Sequence, residues 1–262
     1  MTEFVVRSVV ETDAPAVARP IAASFDEPIR PDFIYCQPGA SAHLGVLASW
    51  PLAFPDHNLY SATSLEGTLL GFAEFRSTAP NSCLLSYVCV APAARDLGRA
   101  ERLILEHLDT HSNIAYIELN VFSNNAVARC LYDRLGFVTS SLTHWWRREL
   151  PVAASNDHTR LRVADWRVSL ATLERHGFCT LSANHHGHKV QVGVTSQTIV
   201  RVADHEQFGE DELLAGVRFL LPGTQSALLI DNALPGGRFR VERVIESRRL
   251  YADFSTVKEA QR

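Results

Sequence analysis

The stretch Val88-Cys89-Val90-Ala91-Pro92-Ala93-Ala94-Arg95-Asp96-Leu97-Gly98-Arg99-Ala100 decides how this chain is read. An apolar, β-branched run stops at Pro92, a short loop follows, and the residues from about Gly98 onward have helical spacing. The first turn of a helix leaves backbone N–H groups without intrahelical partners, and the aligned peptide dipoles put partial positive charge there. Gly98 lets the backbone come close to a ligand, and Ala100 adds almost no side chain. An anion such as a pyrophosphate is the natural guest of such a turn.

The wording is more specific than the physics. Arg95, Gly98 and Ala100 satisfy Arg/Gln-x-x-Gly-x-Gly/Ala, preceded by Val-x-Pro at Val90 and Pro92. About a strand further on comes Asn125-Ala126-Val127-Ala128-Arg129-Cys130-Leu131-Tyr132, closing with Leu135-Gly136-Phe137. In this order the two stretches resemble the acetyl-CoA loop and the "N-x-x-A-x-x-x-Y…GF" helix of the GNAT acyltransferases, a resemblance that covers roughly residues 1–150.

That resemblance implies an α/β fold: a GNAT-type mixed, twisted sheet flanked by helices. It implies that acetyl-CoA is a co-substrate and that an amine is the acceptor. Val88 and Val90 would pair with the pantetheine arm as a pseudo-strand. Arg95, Asp96, Leu97, Gly98, Arg99 and Ala100 would hold the phosphates, and Asn125 would contact the arm. Tyr132 would protonate the departing thiolate. Two positions depart from the family's pattern: Asp96 stands where a small residue is usual, and Leu97 is bulkier than usual. A carboxylate beside a pyrophosphate must point away or pair with Arg99.

The residues also have plainer readings. Val88 and Val90 suit a buried parallel strand with or without a ligand, Asn125 suits a helix N-cap, and Tyr132 suits a core aromatic. Tyr132 lies seven residues after Asn125, close to two turns, so both occupy one helical face. Glu74, between Ala73 and Phe75, and Glu118, between Ile117 and Leu119, are both candidate bases for an amine proton. Strand alternation decides which face each takes, and the sequence leaves the register open.

Composition narrows the class. The chain has 262 residues, a net charge of -4, 46% hydrophobic and 21% charged residues, which is ordinary for a soluble globular protein. An acidic balance argues against a nucleic-acid partner. Five scattered cysteines without a C-x-x-C pair argue against zinc and against a disulfide framework. With no long apolar segment and no signal-peptide pattern, no membrane partner is expected and a cytoplasmic location is the default.

Along the chain, Phe4–Arg7 reads as a strand, and Thr12 or Asp13 can cap a helix that runs to about Phe25, with Pro20 awkward inside it. A short helix is expected near Ala40–Ser49, a hairpin at Leu59–Ser64 and Thr68–Arg76, and a strand at Ser82–Val90. Helix Gly98–His111 carries an apolar stripe in which His107 reads as a core-flanking histidine. Strand Ile114–Val121, the Asn125 helix ending at Gly136, and one or two strands in 137–150 follow.

The division expected is an acetyltransferase domain at 1–150, a linker at 151–158, and a smaller α+β domain at 159–262. In the last, helices are expected at Trp166–Arg175 and Gly209–Leu221, and strands at Val190–Val194, Thr198–Val202, Ala227–Ile230 and Phe239–Ile245. Helix, strand and Asp231-Asn232 there echo the first half and point to a partial copy of the same fold, without the Arg-x-x-Gly-x-Gly/Ala loop. The His185-His186-Gly187-His188 tract reads as a solvated loop with no carboxylate at ligand spacing, so no metal is expected. Arg147, Arg148, Arg248 and Arg249 read as surface charge. The C-terminal region could complete the acceptor cleft, form a homodimer interface or only stabilise its neighbour. The functional reading is acetyl transfer to a primary amine by direct attack, with the acceptor a small molecule, favoured by the acidic charge and extra domain, or a protein N-terminus or lysine; its rival is a non-catalytic acyl-CoA-binding or interaction module on the same fold.

Overall fold

The computed structural model describes residues 3–95, 97–152 and 161–259. In chain order the strands and helices are β1 (Phe4–Ser8), α1 (Ala14–Ala23), α2 (Ala40–Ser49), β2 (His57–Ser64), β3 (Leu69–Ala79), β4 (Ser82–Val90), α3 (Arg99–Thr110), β5 (Tyr116–Phe122), α4 (Ala126–Arg134) and β6 (Val138–Glu149). There follow β7 (Arg162–Val163), α5 (Trp166–His176), β8 (Phe178–His185), β9 (His188–Thr195), β10 (Ile199–Arg201), α6 (His205–Gly209), α7 (Asp211–Leu220), β11 (Ser226–Asp231), β12 (Glu242–Asp253) and α8 (Phe254–Glu259).

The described residues fall into two units that are discontinuous in sequence. One takes those within Met1–Phe25, Ser41–Leu142 and Ser247–Arg262, and the other those within Asp26–Ala40 and Thr143–Glu246. The contiguous division expected at residue 150 therefore differs from the grouping observed. The reason is strand membership: the second half of β6 belongs to the second unit and the second half of β12 to the first. The linker expected at 151–158 lies largely outside the described residues.

In the first unit β1, β2, β3 and β4 pair antiparallel in succession, β4 pairs parallel with β5, and β5 pairs antiparallel with β12. In the second unit β7, β8, β9 and β10 pair antiparallel in succession, β10 pairs parallel with β11, and β11 pairs antiparallel with β6. The two patterns are identical, so the internal echo is a repeat of topology. Each unit's last strand comes from the other half of the sequence. The expected strand Phe239–Ile245 is replaced by the longer β12, whose C-terminal part is the partner of β5.

The first core forms because apolar positions alternate on β3–β5 and recur at helical spacing on α3. Ala73 and Phe75 of β3, Cys83 and Leu85 of β4, and Ile117, Leu119 and Val121 of β5 meet Leu103, Ile104 and Leu108 of α3. Each fully buried leucine or isoleucine stabilises by about 1.5–3 kcal/mol. His107 belongs to this layer. It is 1% exposed, stacks on Phe75 with ring centroids 4.0 Å apart, and burial lowers its pKa to about 3.

Several local readings need correction. Asp13 does not cap α1 through its side chain; its carboxylate takes the Arg7 guanidinium at 2.6 Å and the Val10 N–H at 3.0 Å, which holds it below the usual carboxylate range. Pro20 lies inside α1, which ends at Ala23. Arg147 and Arg148 are not plain surface charge. Arg147 donates to the fully buried Asp32 at 2.6 Å. Arg148 is buried, donates to the Phe208 carbonyl at 2.9 Å and to Asp211, and lies over the Phe239 ring. Strand β8, unrecognised in the sequence, alternates cleanly, with Cys179, Leu181, Ala183 and His185 inward.

Candidate active site

The site is built where β4 and β5 part. Their parallel ladder runs from Ser82–Tyr116 to Leu85–Leu119 and goes no further. Beyond it β4 continues to Val90 in register with β3, while β5 continues to Phe122 in register with β12, which ends the pairing at Ser247. A register shift drives the separation. Tyr87 stands opposite Glu74 and Leu85 opposite Phe75, so Ser86 is an extra residue, a β-bulge. The Ser86 hydroxyl is buried and has no hydrogen-bond partner among the described residues. The edge of Ser86–Val90 that faces β5 is an open strand edge, a template for an extended ligand.

The anion-binding turn stands at the end of this edge. Pro92–Ala94 forms a single 3-10 turn, and Gly98 enters α3 in the left-handed region at φ 70°. A β-carbon at Gly98 would meet no atom within 4 Å, so the position faces open space and glycine is there for its backbone. Intrahelical bonding starts with the Arg102 N–H to the Gly98 carbonyl at 2.9 Å, so the first-turn N–H groups before it point out of the helix end. Ala100 is half-buried and Leu97 is exposed. Asp96 lies outside the described residues.

The two arginines of the motif separate. Arg95 is exposed, with its Nε 3.4 Å from the Val90 carbonyl. The Arg99 side chain is 4% exposed and turned inward. It donates to the Ala94 carbonyl at 2.9 Å and sits 5.2 Å from the Phe4 ring centroid. Arg99 thus pins the loop from beneath, and only its backbone N–H remains for a ligand. The expected pairing of Asp96 with Arg99 falls outside the described residues.

Val88 packs against the α3 face of the sheet, but Val88 and Val90 are half-buried and lie beyond the parallel ladder, paired only with β3, so the plain reading of a buried parallel strand is corrected to a strand edge. Asn125 caps α4, its side-chain oxygen accepting from the Ala128 N–H at 3.1 Å. Tyr132 of α4 is 5% exposed and meets Phe137 edge to face at 5.5 Å. Among the described residues nothing hydrogen-bonds to its hydroxyl, and burial raises its pKa, so it stays protonated at neutral pH.

The two candidate bases are also told apart. Ala73 and Phe75 face α3, so Glu74 faces the other side of the sheet, beside Tyr87 in register. It is 2% exposed and its Oε1 lies 2.8 Å from His57 Nδ1. Glu118 shares that face but sits opposite Leu84, where β4 and β5 are still laddered, and its carboxylate is held by Arg249. Of the two, only Glu74 stands beside the opening. At that point Phe25, just past α1, meets both Tyr87 and Phe122 edge-on, each at 6.3 Å.

His57, Ser86, Tyr87, Phe25 and Phe122 were missed from sequence. A serine interrupting the Ser82–Val90 run was the readable sign of the bulge; the aromatic trio and the His57–Glu74 pair depend on register, which the sequence does not give. Cys89, on β4, has its pKa pushed to about 12 by burial and is a poor nucleophile.

The second unit repeats the topology without the opening. β10 is laddered to β11 along its whole length, and the ladder continues with the Val202 N–H to the Leu228 carbonyl. Glu206, Asp211 and Glu212 occupy the first turns of α6 and α7, where they oppose an anionic ligand.

Residues 26–137 match the model of the acetyltransferase (GNAT) family. No curated protein matches this chain in sequence. Among solved structures, a provisionally assigned acetyltransferase from Pyrococcus horikoshii is 15% identical, with 97% of this chain and 90% of that chain covered at a TM-score of 0.62. A tandem GNAT protein from the clavulanic acid biosynthesis pathway is 14% identical, with 96% and 99% covered at 0.60. A GCN5-related N-acetyltransferase from Sphaerobacter thermophilus is 15% identical, with 96% of both chains covered at 0.57. At these identities the likeness is one of fold, and it is the tandem arrangement that the two identical strand patterns display.

Proposed function

Starting from a chain whose residues 26–137 carry a GNAT acetyltransferase-family domain, we propose that the protein transfers an acetyl group from acetyl-CoA to the primary amine of a small molecule by direct attack. The observation that carries this reading is the parting of β4 from β5 beyond Leu85 and Leu119, with the open start of α3 at its end. The fit is chemical. An open strand edge suits the amide groups of a pantetheine arm, and outward N–H groups beside a glycine in open space suit a pyrophosphate.

Acetyl-CoA would supply an activated acetyl group as its thioester. The chain's own residues do the rest. The backbone of Val88 and Val90 orients the arm, and the turn from Arg95 through Leu97 and Gly98 to Ala100 anchors the phosphates, which is much of the rate gain available from positioning. A backbone N–H of the open β4 edge stabilises charge developing on the thioester oxygen. Glu74 accepts the amine proton, directly or through water, with His57 holding the carboxylate in place. Tyr132 donates its phenolic proton to the departing thiolate. The two groups stand on opposite faces of the sheet, and the opening is the passage between them. The aromatic edges of Phe25, Tyr87 and Phe122 beside a carboxylate suit an amine on an apolar skeleton.

The high pKa of Cys89 and of Cys83, each pushed to about 12, fits a route without a cysteine-bound intermediate. The test is a screen of small primary amines with acetyl-CoA, following release of free thiol. Turnover with an amine and none with the matching alcohol supports the reading. Acetyl-CoA binding without turnover on any amine would favour the non-catalytic module instead.

A further inference from the structure

We propose a transition-metal site in the second unit, formed by His185, His186 and Glu212 and suited to Zn²⁺. One ligand atom from each of these residues lies within 4.8 Å of the other two. Donors on a tetrahedral ion with bonds of about 2.0–2.1 Å stand about 3.3 Å apart, so small side-chain rotations close the set. His186 Nε2 and Glu212 Oε2 are already 2.9 Å apart. Glu210 stands next in line, with its Oε1 3.9 Å from His185 Nε2. Imidazole with carboxylate is the donor chemistry of zinc and its borderline neighbours.

The backbone is shaped for this convergence. β8 and β9 join through the two-residue turn His186-Gly187, with His185 opposite His188. Both turn residues have positive φ, 50° at His186 and 84° at Gly187, a primed hairpin turn whose first position ordinarily takes glycine, asparagine or aspartate. Histidine enters the left-handed region more readily than most side chains, and here the turn carries the His186 imidazole next to Glu212. Asn184 steadies the turn, its Oδ1 accepting from the Gly187 N–H at 3.0 Å. His185 takes the last inward position of β8, where the alternation of Cys179, Leu181 and Ala183 leads one to expect an apolar residue. Glu212 reaches the pair from the first turn of α7. A bound ion would tie the β8–β9 turn to the start of α7, a staple inside one unit and separate from the acyl-transfer chemistry.

The test uses the full chain stripped of metal by a chelator. Equilibrium dialysis against Zn²⁺ should give one tightly held ion per chain, and saturating Zn²⁺ should raise Tm by about 4 °C. His186→Gly, which suits the positive φ, and Glu212→Gln should each weaken Zn²⁺ binding at least tenfold, with circular dichroism unchanged and the Zn²⁺-dependent rise in Tm lost. Co²⁺ should give a visible spectrum of nitrogen and oxygen ligands. No retained Zn²⁺, equal binding by both variants, or a thiolate charge-transfer band with Co²⁺ would each overturn the proposal.

Discussion

Leu85 is the last residue of β4 to pair with β5, and its partner there is Leu119. One residue later the bulge at Ser86 shifts β4 against β3, and β5 leaves in register with β12. The opening is therefore a product of strand pairing on both sides, held by the core beneath it. What the site can do depends on the groups around that gap.

Gly98 is the residue whose replacement should remove ligand binding at least cost to the fold. A side chain there meets open space but must adopt φ 70°, a strain of about 1–2 kcal/mol. Gly98→Glu adds a negative charge to a turn read as a phosphate site. Thermal unfolding should drop by a few degrees at most, while acetyl-CoA binding should fall by more than a hundredfold. Retained affinity would show that the phosphates are held elsewhere.

For Tyr132 the expected result separates chemistry from packing. Tyr132→Phe keeps the buried ring against Phe137 and removes only the hydroxyl. Turnover should fall by about 10²-fold or more, the range for a lost general acid, with acetyl-CoA affinity within threefold of the parent. Unchanged turnover would make Tyr132 a core residue and nothing more.

Glu74 and Glu118 give opposite expectations from one assay. Glu74→Gln should lower kcat by about 10²–10⁴-fold and leave acetyl-CoA affinity intact. Glu118→Gln, which only releases Arg249 away from the opening, should change kcat by less than about threefold, the scale of an exposed ion pair. His57→Gln should fall between them and shift the pH profile of kcat, since His57 acts through Glu74. A larger loss at Glu118 than at Glu74 would reverse the assignment.

His107 makes a prediction about acid stability. Its folded pKa of about 3, below the ordinary 6.5, comes from burial first and His111 second. As pH falls from 6.5 towards 3, the unfolded chain takes up a proton that the folded chain refuses, so stability is lost as pH drops. The slope is about 1.4 kcal/mol per pH unit from this one group. His107→Phe keeps the stack on Phe75 without titrating. Denaturant unfolding at several pH values between 6 and 4 should show a shallower acid decline in the variant; identical slopes would contradict the burial argument.

Much of this was legible in the chain itself, where local chemistry settles the answer. The strand Ser82–Val90 and the helix Ala40–Ser49 match their expected bounds, and Gly98, Gly136 and Gly177 take the positive φ suited to helix ends. His107 falls in the core, as its place on the apolar stripe of α3 requires. What could not be read is long-range pairing. The inward turn of the Arg99 side chain shows only in its contacts with Phe4 and the Ala94 carbonyl. The Glu74–His57 pair needs the β2–β3 register, and the meeting of Glu212 with His186 joins residues far apart in sequence. The swap of final strands, β12 into the first unit and β6 into the second, leaves no local trace either.

The most direct test is a calorimetric titration of the purified chain with acetyl-CoA, with Gly98→Glu alongside. The account predicts saturable binding at one site per chain, in the micromolar range or tighter, abolished by the variant. Absence of binding to the parent chain, or equal binding by parent and variant, would contradict the claim that the gap beyond Leu85 and Leu119 and the turn at Gly98 form an acyl-CoA site.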